Sequence, residues 1–350
     1  MKVAIINPVL TEHRNRGTGI YALNLIEALK KHTKIHVVEA SINNLPINVD
    51  LYHFPYFDPF FLTLPIFKKN KTIVTIHDLI PIRFPENFPR GIVGEIKWLI
   101  QKRIVRNVDA IITDSHASAI DIKSFLNVQE EKVFVVYLSP ALSYSQPVSG
   151  QCIDQVISKY RLPAKFILFV GDVNWNKNLP NIIKASKVTN YPLVIVSKAF
   201  TNFNINADNP WLKSLNEAKK LAQEYKDVYS LGFVSQEELK AIYKSATLLV
   251  VPSYYEGFGM PVVEAFAVGC PVITSNRGSL KEIADSAAYF VNPESVESIV
   301  QGINVLGSDN SLRVKFIHKG LIQAQKFNWE KVARETENIY NIVIDNDYPT

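Results

Sequence analysis

The chain has only two cysteines, Cys152 and Cys270, in 350 residues, so a disulfide framework does not hold it together. No Cys/His cluster has the spacing of a zinc site, and none of its tracts is low in complexity or repeats with a short period. No stretch approaches the roughly 18–20 apolar residues of a membrane-spanning helix. The opening MKVAIINP has a short apolar run that stops at Asn7 and Pro8, which reads as a buried strand rather than a secretory core. A cytoplasmic-type protein is therefore expected. Charge of one sign is also scarce: 38 Lys+Arg against 33 Asp+Glu leave +5. That is too little to announce a nucleic-acid partner, although it favours an anionic one. What the sequence does have is 47% hydrophobic and 20% charged residues, the balance of a well-packed globule. At this length about two domains are expected.

Apolar runs that do not alternate recur along the chain between helical patterns, the mark of parallel sheets covered on both faces. Strands are expected at 3–9, 35–40, 50–54, 71–78, 109–115 and 132–138, with a helix from Gly17 to Lys31. Between Ser139 and Pro163 the pattern lapses into SPALSYSQPVSGQ and a short polar helix. Six more strands follow, at 165–172, 193–198, 228–233, 246–253, 271–276 and 287–292. Helices are expected at 236–244, at 260–269 and from Trp329 to Ile344. The division is then a doubly wound domain over 1–145, a linker over 146–164, a second such domain over 165–327 and a final helix over 328–345.

The densest chemistry lies in PSYYEGFGMPVVEA, from Pro252 to Ala265. A strand feeds a loop bearing Glu256, then Gly257, Phe258 and Gly259, and then Met260 and Pro261 open a helix that carries Glu264. The glycines let backbone N–H groups approach an anion, and the helix N-terminus adds partial positive charge. Glu264 sits among Val262, Val263, Ala265 and Phe266, so its charge needs a partner. A carboxylate there can accept from two vicinal hydroxyls. The plain alternative is that Glu256 caps the helix and Glu264 is half exposed. Upstream, a strand ends at Gly171, and Asn176 and Lys177 stand near a helix start, where a lysine can neutralise a diphosphate. His77 ends another apolar strand, where an imidazole can donate to a sugar oxygen or carry a proton. Lys177 as a solvated side chain and His77 as a structural one are the plain readings.

Gly17 and Gly19, in GTGIYA, formally satisfy G-x-G-x-x-A, with Glu39 twenty residues beyond Gly19. A dinucleotide fingerprint should follow its strand at once, but LTEHRNR intervenes here, so a loop approaching a phosphate or sugar suits the spacing better. Asp345-Asn-Asp347 matches D-x-D but lies in the polar tail. The stretch from Glu95 to Arg106 groups Lys102, Arg103 and Arg106 on one side and Ile100, Ile104 and Val105 on another, an amphipathic helix that would at most touch anionic lipid headgroups. Residues 1–150 hold 17 Lys+Arg against 13 Asp+Glu, and the remainder holds 21 against 20, so the positive excess is in the first half.

At these residues the chain resembles the retaining GT-B glycosyltransferases of family four, in particular their bacterial mannosyltransferase-like branch. PSYYEGFGMPVVEAFAVGCPVITSNRGSLKEI is similar to that family's E-x7-E signature and its surroundings. GTGIYALNLIEAL, TIHDLIPIRFPE, TDSHASAIDIKSFL, KVFVVYLSP and FVGDVNWNKNL extend the resemblance over most of the chain. It implies two Rossmann-like domains facing across a cleft, a C-terminal crossover helix, a sugar nucleotide held mainly by the second domain and an acceptor held mainly by the first. Glu264 would hold the ribose hydroxyls, and Glu256 would stabilise charge at the anomeric carbon. Lys177 and the amides of Gly257 to Gly259 would hold the diphosphate, Val234 would line the base pocket, and His77 would contact the donor sugar and attacking hydroxyl.

The family usually has Arg before the lysine of its phosphate loop, whereas Asn176 stands here, and Ile20 replaces an arginine before Tyr21. Arg14, Arg16 or Lys198 would have to compensate. The resulting expectation is a metal-independent, retaining hexosyltransferase that needs no cofactor beyond its sugar nucleotide. Mannose from GDP-mannose is the favoured donor, with a UDP-sugar as the alternative. The acceptor would be a glycan or lipid-linked oligosaccharide of cell-surface polysaccharide synthesis, with weak contact to an anionic membrane surface. A non-catalytic sugar-nucleotide-binding subunit, a nicotinamide oxidoreductase and a phosphorylase are the rivals.

Overall fold

The computed structural model describes residues 1–7, 17–201 and 209–348. They form two compact units, Met1–Ala141 with Asn328–Thr350 and Leu142–Phe327. The first contains a parallel sheet of β1 (Lys2–Asn7), β2 (His36–Ser41), β3 (Leu51–Phe54), β4 (Lys71–Thr75), β5 (Ala110–Thr113) and β6 (Val133–Val135), in the order β2-β1-β3-β4-β5-β6. The second is built on β7 (Ile167–Val170), β8 (Leu193–Val196), β9 (Val228–Ser230), β10 (Leu248–Val251), β11 (Val272–Ser275) and β12 (Tyr289–Val291), in the order β12-β11-β10-β7-β8-β9. Each expected strand is present, its ends shifted by one to a few residues; residues 8 and 9 of the first expected strand lie outside the described residues. The inner strands, such as Ile167–Val170, Leu193–Val196 and Leu248–Val251, read as nearly unbroken apolar runs, as expected of strands buried on both faces, whereas the outer β2 and β9 carry polar, accessible residues.

Among the described residues, buried side chains from the strands and covering helices form a large core cluster in each unit. Ile6, Phe54, Val74, Ile111 and Trp98 belong to the first. Ile167, Phe169, Ile182, Ile195, Leu248 and Val250 belong to the second. Each such residue stabilises its unit by about 1.5–3 kcal/mol relative to exposure. In the second sheet the strand order reverses between β7 and β10, and in the first between β1 and β3. In a doubly wound sheet, ligands settle beyond the strand ends at such reversals.

The final helix, Trp329–Asp345, starts at Asn328, whose side chain accepts from the Lys331 amide. Trp329, Val332, Ala333, Thr336, Ile339, Tyr340 and Val343 form its buried stripe at helical spacing. It packs within the first unit: Trp329 Nε1 donates to the Pro140 carbonyl at 2.7 Å, and the Tyr340 hydroxyl meets His53 Nδ1 at 2.6 Å. The segment 146–164, expected as a linker, belongs to the second unit and contains the helix Gly150–Tyr160. Lys159 and Tyr160 anchor that helix by donating to Glu238 at 2.5 and 3.1 Å.

One helix is oriented differently from its expected wheel. Gly94, Trp98, Gln101 and Val105 form the buried stripe of Gly91–Val105, while Ile92, Val93, Ile96, Leu99 and Ile100 are exposed. Of the apolar side proposed from the sequence, only Val105 is fully buried; Ile100 faces out. Gln101 decides the rotation, because its amide is the clasp for the loop beside it.

Candidate active site

Lys177 follows β7 and Glu256 follows β10, the two strands that flank the reversal. Their loops meet. Lys177 Nζ donates to Glu256 Oε1 at 2.8 Å and Oε2 at 2.7 Å, and Ser253 Oγ donates to Oε1 at 2.7 Å. Glu256 is buried while Lys177 keeps part of its side chain accessible. A charge so enclosed is tolerated because it is paired and hydrogen-bonded.

Asn176, expected beside a phosphate, is buried and spends its side-chain amide on the Tyr255 carbonyl at 3.0 Å, while its own carbonyl accepts from Tyr254 at 2.8 Å. Trp175 stacks on Tyr254 with ring centroids 5.0 Å apart. Asn178 donates to the carbonyls of Pro252 and Pro293 at 2.9 and 2.7 Å. These bonds weld the loop after β7 to the loop after β10. The second loop is also held from β11: Ser275 Oγ donates to the Ser253 carbonyl, and Ser279 N and Oγ both reach the Glu256 carbonyl at 3.1 Å.

Gly278 makes that grip feasible. Its φ is +56°, and a Cβ there would lie 2.5 Å from the Glu256 carbonyl oxygen and 2.9 Å from its nitrogen. Gly259 is similarly constrained, with φ +95° at the start of the helix Met260–Val268 and Leu280 2.7 Å from where its Cβ would be. Gly259 offers no side-chain cap to this helix; Pro261 has no N–H and the Val262 amide donates back to the Gly259 carbonyl at 2.9 Å, so an anion here would be met by the remaining first-turn amides and the helix dipole. Gly257 and Phe258 are buried, the latter edge-on to Phe327, and Met260 and Pro261 are half-buried. Gly171, just after β7, has φ +143° and open space where a Cβ would be.

Glu264 is anchored separately. Its Oε2 accepts from the Tyr243 hydroxyl at 2.9 Å. Although part of its surface is accessible, the apolar mass around it pushes its carboxyl up to about 7, with the Tyr243 bond pulling the other way. Burial and the nearby Glu264 charge push the Tyr144 hydroxyl well above its usual range, and that hydroxyl has no hydrogen-bond partner among the described residues. Val234 is buried just before Ser235, whose capping box with Glu238 starts the helix Gln236–Ser245 that carries Tyr243. Lys198 is exposed after β8, next to a buried Ser197 hydroxyl without a partner among the described residues. Arg14 and Arg16 lie outside the described residues.

In the first unit, His77 stands two residues past β4 and Asp114 immediately past β5. The strands are neighbours, with Ile73 opposite Ala110 and Thr75 opposite Ile112. Extending that register sets His77 opposite Asp114. His77 Nδ1 donates to Asp114 Oδ2 at 2.7 Å. Tyr21 lies edge-on to the imidazole at 4.9 Å. Burial alone would lower the His77 pKa, but the Asp114 carboxylate, its hydrogen bond, Asp78 and the Pro55 carbonyl outweigh it and hold the imidazole above its ordinary range. Burial pushes Asp114 upward, with His77 restraining it. Neither His77 Nε2 nor Asp114 Oδ1 has a hydrogen-bond partner of good geometry among the described residues, so the dyad retains capacity for one more group at each end. Gly17 is exposed and Gly19 buried in the first turn of the helix Gly17–His32, and Glu39 pairs with Lys30 at 3.0 Å. Asp114, Ser253, Tyr243, Tyr144 and Gly278 were not singled out from sequence. The strand register would have found Asp114, and the left-handed turn in NRGS would have found Gly278.

Among the described residues no group of three or more His, Cys, Asp or Glu side chains gathers to hold a metal ion. A model of the glycosyl transferases group 1 matches residues 154–322, and a model of glycosyltransferase family 4 matches residues 5–138. The chain belongs to the family 4 glycosyltransferases. Its two parallel six-stranded units are those of the GT-B fold. It is 27% identical over 303 residues to the O-antigen chain mannosyltransferase B of Escherichia coli, covering 84% of this chain and 74% of that protein. It is 32% identical over 240 residues to the O-antigen chain mannosyltransferase RfbU of Salmonella typhimurium, covering 67% of this chain and 60% of that protein. Among solved structures, Anabaena HepE in complex with UDP-glucose superposes with a TM-score of 0.72 at 15% identity, covering 97% of this chain and all of that one. Within the span matched by the first model, Glu256 and Glu264 are separated by seven residues.

Proposed function

We propose that this glycosyltransferase moves mannose from GDP-mannose to a hydroxyl of a glycan or lipid-linked oligosaccharide, with retention at the anomeric carbon and without a bound metal. The observation that carries the reading is the Lys177–Glu256 pair at the strand reversal, beside an uncapped helix N-terminus. Lys177 has three protons to share between Glu256 and a diphosphate. Together with the amides from Gly257 to Gly259 it offsets the charge that grows on the leaving phosphate. Glu256 faces the positive charge at the anomeric carbon, Glu264 accepts from the ribose hydroxyls, and Val234 borders the base. The bond from the anomeric carbon to the diphosphate oxygen breaks as the bond to the acceptor oxygen forms on the same face. The acceptor proton passes to the leaving phosphate, while His77 orients the hydroxyl and donor sugar.

Mannose is favoured because the two similar proteins from Escherichia coli and Salmonella typhimurium are named mannosyltransferases. A UDP-sugar is the second reading, motivated by the UDP-glucose bound to HepE. A thermal-shift screen across GDP-mannose, UDP-glucose and UDP-N-acetylglucosamine separates them, since a bound donor stabilises the native chain by mass action. GDP-mannose should raise the midpoint most, and EDTA should leave turnover unchanged. A product whose anomeric proton shows inversion overturns the mechanism. Turnover that survives Glu256→Ala overturns the site.

A further inference from the structure

We propose that the outward face of the Gly91–Val105 helix, together with the loop at 59–69, docks onto the surface of an anionic lipid bilayer. The helix turns its apolar side away from its own core: Ile92 is 82% exposed, Val93 66%, Ile96 54% and Leu99 57%. An ordinary surface helix buries that side and exposes the polar one. The adjoining loop does the same with Phe61, Leu62, Ile66 and Phe67, of which Phe67 is 79% exposed.

The two segments form one surface. Gln101 Nε2 donates to the Asp58 carbonyl at 2.9 Å, the Phe61 carbonyl at 2.5 Å and Thr63 Oγ1 at 2.8 Å. Lys97 Nζ lies 5.2 Å from the Phe61 ring centre, and Ile104 shares a small cavity with Leu64, Pro65 and Ile66. Asp58 holds the loop start by accepting from the amides of Phe60 and Phe61 at 2.7 and 3.1 Å. The apolar residues are thus presented by built structure. So much contiguous exposed apolar surface marks a contact site.

Charge identifies the occupant. Segments 59–70 and 91–105 contain Lys68, Lys69, Lys97, Lys102 and Arg103 against the single acid Glu95, which is paired with Arg90. Lys68 is paired with Asp109, but Lys69 and Arg103 are exposed and form no ion pair among the described residues. A second copy docking through this face would set cations against cations. Anionic headgroups match the cations, and the acyl boundary takes the isoleucines, leucines and phenylalanines. Among the described residues no helix is long and apolar enough to cross a membrane, so the contact is a surface one.

Co-sedimentation of the full chain with phosphatidylcholine vesicles, and with vesicles of phosphatidylcholine and phosphatidylglycerol, tests the proposal. Binding to the anionic vesicles should be at least about tenfold tighter than to the neutral ones and should weaken in high salt. Ile96→Asp with Leu99→Asp should cost about tenfold or more in binding, and Lys69→Glu with Arg103→Glu about fivefold per charge. All four side chains are exposed, so thermal midpoints should match the parent. Absence of vesicle binding, or binding that these variants leave unchanged, overturns the proposal. A concentration-dependent dimer that Ile96→Asp with Leu99→Asp dissolves, without vesicle binding, assigns the face to a second copy and overturns it equally.

Discussion

Each unit places an acid–base pair beyond the carboxyl ends of parallel strands, but the two pairs are finished differently. In the second unit Glu256 is saturated: Lys177 takes both its oxygens and Ser253 adds a third bond. In the first, His77 and Asp114 satisfy each other through one bond and leave Nε2 and Oδ1 without a hydrogen-bond partner of good geometry among the described residues. A saturated pair fixes geometry, and a half-satisfied one retains capacity for a substrate atom. The contrast assigns preorganised charge to the second unit and an available imidazole to the first.

The strongest way to break this contrast is to remove a partner from the saturated pair. Lys177→Met should reduce turnover by about 10³-fold through loss of charge stabilisation. It should also lower unfolding stability in urea by about 3 kcal/mol, because Glu256 is left buried and unpaired. Equal stability of parent and variant would show that the pair does not organise the loop. Asp114→Asn probes the other pair and should cost about 100-fold in turnover. Proton NMR titration should then find the His77 pKa lowered, since burial remains after the opposing carboxylate is gone. An unmoved His77 titration would deny Asp114 its hold on the imidazole.

Gly278→Ala tests the grip on the Glu256 loop. The left-handed turn and the backbone contact should cost about 2 kcal/mol in stability, read by thermal or urea unfolding. The effect expected from Glu264→Gln depends on pH. With the folded pKa raised to about 7 from 4.5, Glu264 makes the fold lose stability as pH rises across that window. Donor affinity should rise over the upper part of the same window, as the carboxylate needed to accept ribose hydroxyls forms. Glu264→Gln should flatten both slopes, and calorimetric titration at several pH values would expose either failure.

Much of this was legible in the residues. The strands could be located because a strand buried on both faces must be apolar throughout, and the E-x7-E segment because its carboxylates, glycines and helix start are contiguous. Asn176 illustrates the limit. Its position one residue before Lys177 suggested a phosphate neighbour, but its amide faces the Tyr255 carbonyl. Neighbours in sequence along a tight turn point in different directions, so adjacency alone does not decide what each side chain touches.

By itself, the order of amino acids determined the two α/β units, the positions of their strands, and the E-x7-E spacing of Glu256 and Glu264. Tertiary structure decided which groups meet: Lys177 with Glu256 across 79 residues, and His77 with Asp114 across 37. It also decided which side of the Gly91–Val105 helix is buried, because Trp98 and the Gln101 clasp outweigh the apolar stripe that would otherwise turn inward. Periodicity records what a residue prefers. Parallel register and side-chain hydrogen bonds between distant segments determine what it touches.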